Sequence, residues 1–518
     1  MRRFLLSLVC LSFAAPAHAE WWEARTGHFI VYSESSASDA KTFAQKLERF
    51  DSAMRMLQNM PQEVAPSDAE RLTVFRFGDI GDIGRLAGAD EIAGFYIPRQ
   101  GGSVAFTPAH GEGPSASIVR RDSRTDLDPT SVLLHEYTHH FMFQHFPAAY
   151  PSWYVEGFAE TAATMDLRPD GSFHIGNPPQ YRVAALFSPN LALSASRMLT
   201  SHDRPDMMDF YGNYTVGWLL NHYLTFSGER PGQLTKYLHL INAGTDPAAA
   251  ARQAFGDLGQ LDRDLLRYRS SHKLGGADVK PAKYIPPQVT MRELGTDEAA
   301  IMSERIRTAR GVSLKSARGV VDDARRVAAQ FPSSFAVQLE LAESELDAEH
   351  FAEADSAADR ALAVQPESVP ALLIKGRVAL ERGKTDKSVL PAARSWFSKA
   401  FDRDPHNPAP LYYNYMSFYE QGGVIPESAL VGLEHAFKMA MFDREIRLVL
   451  ARQLLSEGKG DLGKTLLQPL ALNPHESKSA EALDKVIGLI DAKKTPEAYS
   501  TLASKMKEWE EKAKKGEE

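Results

Sequence analysis

Cysteine is nearly missing from this 518-residue sequence, in which Cys10 is the only one. It lies in an N-terminal segment with the features of a secretory signal, so that a protein processed there contains no thiol. Disulfides and cysteine metal ligands are thereby excluded. Any metal site must be built from histidine and carboxylate side chains.

Long apolar runs are also missing, and a helix that spans a membrane needs about 20 such residues. The longest N-terminal run, over residues 4–15, is too short for a membrane anchor. Two arginines precede it, and Ala17-His18-Ala19 forms a small-x-small cleavage site before Glu20. The pattern predicts a signal peptide over residues 1–19 and export, to a periplasm.

Basic residues are fewer than acidic residues in this sequence. The chain has 59 Lys and Arg against 67 Asp and Glu, a formal net charge of −8. This argues against nucleic acid or an anionic membrane surface as the main partner. Hydrophobic residues make up 43% of the chain, an ordinary globular share, and the length predicts two to four domains.

The alternation of apolar residues predicts a small β-sheet with helices in the first half of the chain. A Gly- and Pro-rich stretch predicts a linker over residues 275–296. The segment 101–106 is a candidate edge strand that could pair with an extended peptide. The predicted strands are 27–32, 72–77, 93–97 and 103–106, the first helix is 40–60, and mostly helices follow over 129–272.

The last part of the chain has a repeat. Pro332, Pro366 and Pro405 recur at intervals close to the ~34 residues of a tetratricopeptide repeat (TPR), and Pro474 follows further on. Small residues stand at matching offsets: Ala342 and Gly376, Ala354 and Ala393, Ala361 and Ala400. The pattern resembles the two-helix TPR unit, in which small residues allow close helix crossing and the proline follows the second helix. An irregular helical bundle is the alternative, and the longer second interval predicts a longer turn near residues 384–388.

The most informative motif is His135-Glu136-Tyr137-Thr138-His139, an HExxH sequence on a predicted helix over residues 131–146. Asp128-Pro129 is a typical helix start, and Pro147 is expected to end the helix. Residues four apart lie on one face, so both imidazoles can reach one ion. Glu136 would stand beside that ion, where a general base for a metal-bound water belongs.

A second helical segment follows at once, with Glu156 and Glu160 one turn apart. The distance from His139 is sufficient for a turn and a returning helix, which makes Glu156 the third metal ligand. Glu160 is placed to hydrogen-bond the far nitrogen of a ligand histidine. Gly157 and Ala159 would let the two helices approach.

These two segments, residues 134–139 and the run Trp153-Tyr154-Val155-Glu156-Gly157-Phe158-Ala159-Glu160, resemble the gluzincin zinc peptidases. The similarity is greatest to the bacterial peptidase MA-like group and extends more distantly to the zinc aminopeptidases. The resemblance implies Zn²⁺ as the cofactor. It also implies that Tyr214, in a Tyr-x-x-Gly-aromatic element, stabilises the oxyanion, with Tyr211 as the rival. The aminopeptidase element Gly-Ala/Gly-Met-Glu-Asn is missing, so trimming of amino termini is not indicated.

A competing interpretation gives the third ligand to His145, at the metzincin spacing HExxHxxGxxH. Met142 replaces the glycine that lets such a chain turn. The helix is therefore expected to continue and to carry His145 away from the site.

The predicted fold class is an α+β gluzincin-type catalytic domain over residues 20–274, followed by an all-α TPR-like domain over residues 297–518. The predicted function is zinc-dependent hydrolysis of peptide bonds, with the repeats binding a partner or substrate. The alternative is a non-catalytic periplasmic scaffold that retains the metal-binding domain. Zinc stoichiometry and chelator-sensitive cleavage distinguish the two.

Overall fold

The computed structural model describes residues 20–89, 92–110, 129–188, 194–200, 207–271, 274–472 and 477–516. Within them, a small N-terminal β-sheet is followed by a largely helical region, so the broad α+β then all-α layout is confirmed. The predicted signal peptide, Asp128 and Pro474 lie outside the described residues.

The main sheet has six strands in the order β4-β5-β3-β2-β1-β9. The pairs β2–β3 and β3–β5 are parallel, and the other pairs are antiparallel. The sequence predicted four of these strands at nearly the observed positions. The strands are β1 (Trp22–Arg25), β2 (Phe29–Ser33), β3 (Leu72–Arg76), β4 (Phe95–Ile97), β5 (Val104–Thr107) and β9 (Thr290–Glu293).

One face of this sheet packs against α1 (Ala37–Leu57), and Ser36 caps that helix by accepting from the amide of Asp39. The fully buried Phe29 and Val74 meet the apolar face of α1 in one core. The HExxH helix contributes Leu133, Leu134 and Phe141 to the same core. The helix that carries the motif is therefore fixed against the sheet by apolar burial.

The first half contains further helices, one of which carries the motif. They are α2 (Ile80–Ala87), α3 (Pro129–His145), α4 (Ser152–Ala163), α5 (Gln180–Leu186), α6 (Ala195–Thr200), α7 (Met207–Phe226), α8 (Gln233–Asn242), α9 (Pro247–Phe255) and α10 (Leu258–Ser270). A second core of large apolar side chains, among them Trp153, Trp218 and Tyr223, joins α4 to α7 and to the helices that follow.

The segment predicted as a linker, residues 275–296, contains two strands. β8 (Ala277–Val279) pairs with β7 in a three-stranded sheet, and β9 pairs with β1 at the edge of the main sheet. Both stretches therefore find backbone partners far away in the chain. The other strands of the small sheet are β6 (Asp166–Leu167) and β7 (Phe173–Ile175).

Consecutive helices pack against each other through the rest of the chain. The helices α13, α15 and α17 each end two residues before one of the repeated prolines, as expected from the sequence. The longer turn predicted after α16 contains a short 3₁₀ helix, Lys387–Val389. The first of these helices are α11 (Thr296–Ala300), α12 (Met302–Arg310), α13 (Leu314–Gln330), α14 (Phe335–Asp347), α15 (Phe351–Val364), α16 (Val369–Gly383) and α17 (Leu390–Arg403). The last are α18 (Pro408–Gln421), α19 (Glu427–Met439), α20 (Arg444–Ser456), α21 (Gly460–Ala471), α22 (Ser477–Asp491) and α23 (Thr495–Lys515).

The small residues at the repeated positions lie where helices meet. A Cβ on Gly376 would come within 2.3 Å of the ring of Phe397 on the next helix. The five alanines at the matching offsets are all fully buried: Ala342, Ala354, Ala361, Ala393 and Ala400. Larger side chains at these positions would force the helices apart.

None of the helices in the described ranges is long and apolar enough to cross a membrane.

Candidate metal centre

The HExxH motif lies in the middle of α3, and the second carboxylate segment lies on α4. The first helix ends just before Pro147, and the second begins just after Pro151. A proline has no amide hydrogen and restricts the residue before it, so this short proline-flanked turn separates the two helices. The chain then returns along α3, and α3 packs against α4.

Three side chains from these helices converge on one point. His135 Nε2 lies 3.1 Å from Glu156 Oε2 and 3.1 Å from His139 Nε2. His139 Nε2 lies 3.7 Å from the same carboxylate oxygen. All three side chains are buried. The two imidazoles and the carboxylate that the sequence predicted as metal ligands therefore stand together.

The distances fit a tetrahedral ion. Ligand atoms about 2.0–2.1 Å from a zinc ion at tetrahedral angles lie roughly 3.3 Å from each other. The three observed separations lie on both sides of that value. Two imidazoles and one carboxylate are also the donor set of catalytic zinc sites that keep a fourth position open. The residues present thus fit the ion that the resemblance implies.

The carboxylates around His135 favour a positive charge at this point. Burial alone would lower the pKa of His135, but the hydrogen bond and the charge of Glu156 outweigh it and raise that pKa. Glu160 and Glu136 act in the same direction. Three carboxylates around two imidazoles therefore make this a place where a cation is stabilised.

Glu136 and Tyr214 line one cavity together with His139, one of the predicted ligands. Glu136 is half-buried, and its carboxylate forms no hydrogen bond or ion pair with the residues that the structure describes, so it is available to a water molecule. The ring of Tyr214 stacks on His135, with 5.9 Å between the centroids. Burial, and then the carboxylates Glu156 and Glu136, raise the pKa of Tyr214, so that its hydroxyl keeps its proton. The side chain of Tyr211, the rival, lies outside the described residues.

Glu160 differs from its expected role. Its carboxylate accepts hydrogen bonds from the Tyr181 hydroxyl and from Arg182 Nε (3.1 Å), and in the described part of the chain it bonds no imidazole. Arg182 in turn lies over the ring of Tyr214, 4.8 Å from its centroid. Glu160 therefore holds the arginine that packs on Tyr214 and does not orient a ligand histidine. The partners lie on α5, where no sequence motif indicated them.

Gly157 also serves a different helix contact from the one expected. A Cβ at this position would lie 2.5 Å from the carbonyl oxygen of Gly217 on α7. A Cβ on Gly217 would likewise lie 2.6 Å from the carbonyl oxygen of Trp153. The two glycines allow α4 to cross α7 closely, and this crossing brings Tyr214 to the candidate metal-binding group, which is formed by His135, His139 and Glu156.

His145 lies at the end of α3, as expected for a helix without the metzincin glycine. It lines a different cavity, together with His28 and Arg55. Burial, and then the charges of Arg55 and His28, lower its pKa to about 4. His145 does not belong to the group formed by His135, His139 and Glu156.

The cavity at the metal-binding group has a volume of about 500 Å³, and its walls come from both halves of the chain. On one side lies β4, the outer strand of the main sheet. The expected edge strand, residues 101–106, is instead an inner one, because β5 pairs with both β3 and β4. The other side is formed by Met441, Phe442, Arg444, Arg447, Pro469 and Leu470 of the helical region. No sequence pattern indicated this second wall.

A second group of metal-compatible side chains, His28, Glu48 and Asp51, lies behind α3. Its acceptors are already engaged. Arg55 pairs with Asp51 at 2.7 Å, and the Tyr137 hydroxyl donates to the other Asp51 oxygen at 2.7 Å. Because a guanidinium already occupies the position of a cation, this network anchors the HExxH helix through Tyr137 and is not assigned as a metal site.

Neither a scan against models of known protein families nor a search of curated proteins found a match for this chain.

Proposed function

We propose that this protein is an exported zinc metallopeptidase of the gluzincin type, with His135, His139 and Glu156 as ligands. The observation that carries the proposal is the convergence of these three side chains at separations that suit one tetrahedral ion. The half-buried carboxylate of Glu136 and the hydroxyl-bearing ring of Tyr214 line the same cavity. Metal, base and electrophile would thus share one space.

A zinc ion bound there supplies Lewis acidity, lowering the pKa of a water and polarising the substrate carbonyl. Glu136 takes a proton from the attacking water and delivers it to the leaving amine. The Tyr214 hydroxyl donates to the carbonyl oxygen as that oxygen gains negative charge. Arg182, held by Glu160, packs on the tyrosine ring and fixes its orientation.

The outer strand β4 borders the cavity and offers backbone groups to an extended peptide. We place the substrate along this strand. The helical region, interpreted as TPR-like repeats, would then form one wall of the substrate-binding cavity. Its other surfaces would remain available to a partner.

The decisive experiment measures zinc content and cleavage of an unstructured protein substrate, with and without a chelator. We expect one zinc per chain and chelator-sensitive cleavage that returns when zinc is added back. Glu136→Gln should keep the zinc and lose at least ~10²-fold in turnover, since general-base catalysis contributes about that much. Retained turnover in this variant would contradict the assignment.

Glu156→Ala should lose zinc because it removes one of three ligands. His145→Ala is the matched control, since it removes a histidine from the same helix that lies outside the metal-binding group. Equal zinc content in the wild type and in Glu156→Ala would refute the ligand set. Zinc without cleavage of any protein or peptide would favour the scaffold alternative.

A further inference from the structure

The helical region is hydrogen-bonded to the segment after β4 and to α3, both of which contribute residues to the cavity at the candidate metal-binding group. Asp443 lies in the turn between α19 and α20, and its Oδ2 accepts a hydrogen bond from the backbone amide of Gln100 (2.9 Å). Gln144, on the HExxH helix, donates to the carbonyl oxygen of Met439 (3.0 Å). The ring of Phe442 lies 4.9 Å from that of His140. This turn is therefore a fixed wall of the cavity.

That wall carries an arginine without an acidic contact. Arg447 lines the cavity and is only 3% exposed. Its guanidinium donates to the carbonyl oxygens of Met441 and Leu466 and lies over the ring of Phe437. It forms no ion pair with a carboxylate of the described residues. Neutral acceptors satisfy hydrogen bonds but do not cancel the charge, and an uncompensated buried charge is costly.

Asp443, whose charge acts on Arg447, does not form an ion pair with it among the described residues. Asp443 accepts from the amide of Gln100 with one oxygen and from the amide of Ile446 with the other, as the cap of α20. Burial lowers the pKa of Arg447 to about 10, and the charge of Asp443 opposes that shift. The guanidinium therefore stays charged at neutral pH while its carboxylate neighbour is engaged elsewhere.

The cavity also has polar lining residues, among them a second arginine, Arg444. Much of the remaining lining is apolar and includes Phe95, Phe143, Phe442 and Leu470. A space of about 500 Å³ suits a short peptide segment with one or two apolar side chains. Glu136, the proposed ligand His139 and Arg447 all line this space.

We infer that Arg447 binds a carboxylate of the substrate, either the free C-terminus or an acidic side chain, while the apolar walls take the residues between this carboxylate and the scissile bond. Arg447 is then a specificity-determining residue supplied by the helical region, and the substrate class is apolar peptides that carry such a carboxylate. This inference rests on the proposed peptidase function. A hydrogen-bonded ion pair in a buried site favours the charged ligand by roughly ten- to a hundredfold over an uncharged analogue.

The test measures binding by calorimetry to zinc-loaded Glu136→Gln protein, in which ligands bind without being cleaved. Three N-acetylated probes are compared: Leu-Phe-Leu with a free C-terminus, the same tripeptide as its C-terminal amide, and Leu-Phe-Glu amide. We expect one of the two carboxylate probes to bind at least about tenfold more tightly than the uncharged amide. The probe that does so identifies which carboxylate is recognised. Equal affinity for all three probes would overturn the inference.

Arg447→Met should abolish the carboxylate preference, and Arg447→Lys should restore part of it because the charge returns without the planar fork. Arg403→Met is the matched control, since Arg403 is exposed and outside the cavity. A preference that persists in a folded Arg447→Met protein would overturn the inference. If Arg447→Met does not fold, the comparison of the probes and the lysine variant decide.

The experiments distinguish a failure of the proposed peptidase function from a failure of the inference about Arg447. If the wild-type protein cleaves no peptide but shows the Arg447-dependent preference, the proposed reaction is contradicted and the inference about Arg447 stands. If the wild-type protein cleaves the carboxylate probes and the uncharged amide probe with equal kcat/KM, the proposed reaction stands and the inference about Arg447 is contradicted.

Discussion

The Cβ that an alanine would add at Gly157 lies 2.5 Å from the carbonyl oxygen of Gly217. Glu156 and Tyr214 lie one and three positions from these glycines, so the spacing of α4 and α7 fixes the distance between a proposed metal ligand and the proposed electrophile. The crossing is a contact of backbone with backbone, and no rotamer change can relieve an added methyl group there.

Gly157→Ala should therefore destabilise the protein by about 1–3 kcal/mol and reduce zinc affinity, because α4 must move away from α7. Urea denaturation and zinc titration measure the two effects. Gly319→Ala is the control. It lies inside α13 with no atom within 4 Å of the added Cβ, and should be neutral or slightly stabilising. Equal stability of Gly157→Ala and wild type would show that the helices do not cross this closely.

Tyr214→Phe should lower kcat by at least about tenfold while zinc content and unfolding free energy stay near those of the wild type. Loss of one hydrogen-bond donor to a developing oxyanion costs about 10²–10³ in kcat at its largest. Tyr154→Phe is the matched control, because Tyr154 stacks on Phe158 and does not line the cavity. An unchanged kcat in Tyr214→Phe would remove Tyr214 from the mechanism.

Arg182→Met should destabilise the protein by about 2–4 kcal/mol, because it leaves the buried carboxylate of Glu160 with the Tyr181 hydroxyl alone. The double variant Arg182→Met, Glu160→Gln should recover part of that loss, since it removes the uncompensated charge. A double-mutant cycle from urea denaturation gives the coupling. Strictly additive effects would contradict the buried ion pair.

Stability should fall as pH rises through neutrality, in part because of Glu340. Burial raises the pKa of this glutamate to about 7, and the hydroxyl of Thr308 and the charge of Arg305 oppose this only in part. In the unfolded chain the pKa of this carboxyl group lies near its ordinary value of 4.5. The folded protein therefore binds the extra proton between these values. The stabilisation is complete below about pH 4.5 and is lost as pH rises through about 7.

Glu340→Gln should flatten this dependence between pH 5 and 8 by roughly 1–3 kcal/mol, since an amide oxygen still accepts from Thr308 and does not titrate. Thermal or urea unfolding at several pH values measures it. Glu353→Gln, at an exposed position on α15, should leave the slope unchanged. A slope that is the same in Glu340→Gln and wild type would contradict the prediction.

Local patterns predicted what local geometry determines. Helical spacing placed His135 and His139 on one face, and two prolines defined the turn that returns Glu156 to them. Non-local contacts were not predictable in this way. Arg182 binds Glu160 from a helix with no motif, and Arg447 reaches the cavity from the far end of the chain. Glu23 and Arg292, 269 positions apart, pair across β1 and β9, and nothing in either segment indicates the other.

The return of the chain through β8 and β9 determines when the first half can finish folding. A nascent chain that ends near residue 274 contains the whole candidate metal-binding group, but β7 and β1 still present unpaired backbone edges. Both edges are covered only after residue 293 has been synthesised. A fragment that ends near residue 274 would therefore keep both edges unpaired. Such a fragment should aggregate through these edges, whereas one extended through α12 would have both edges paired.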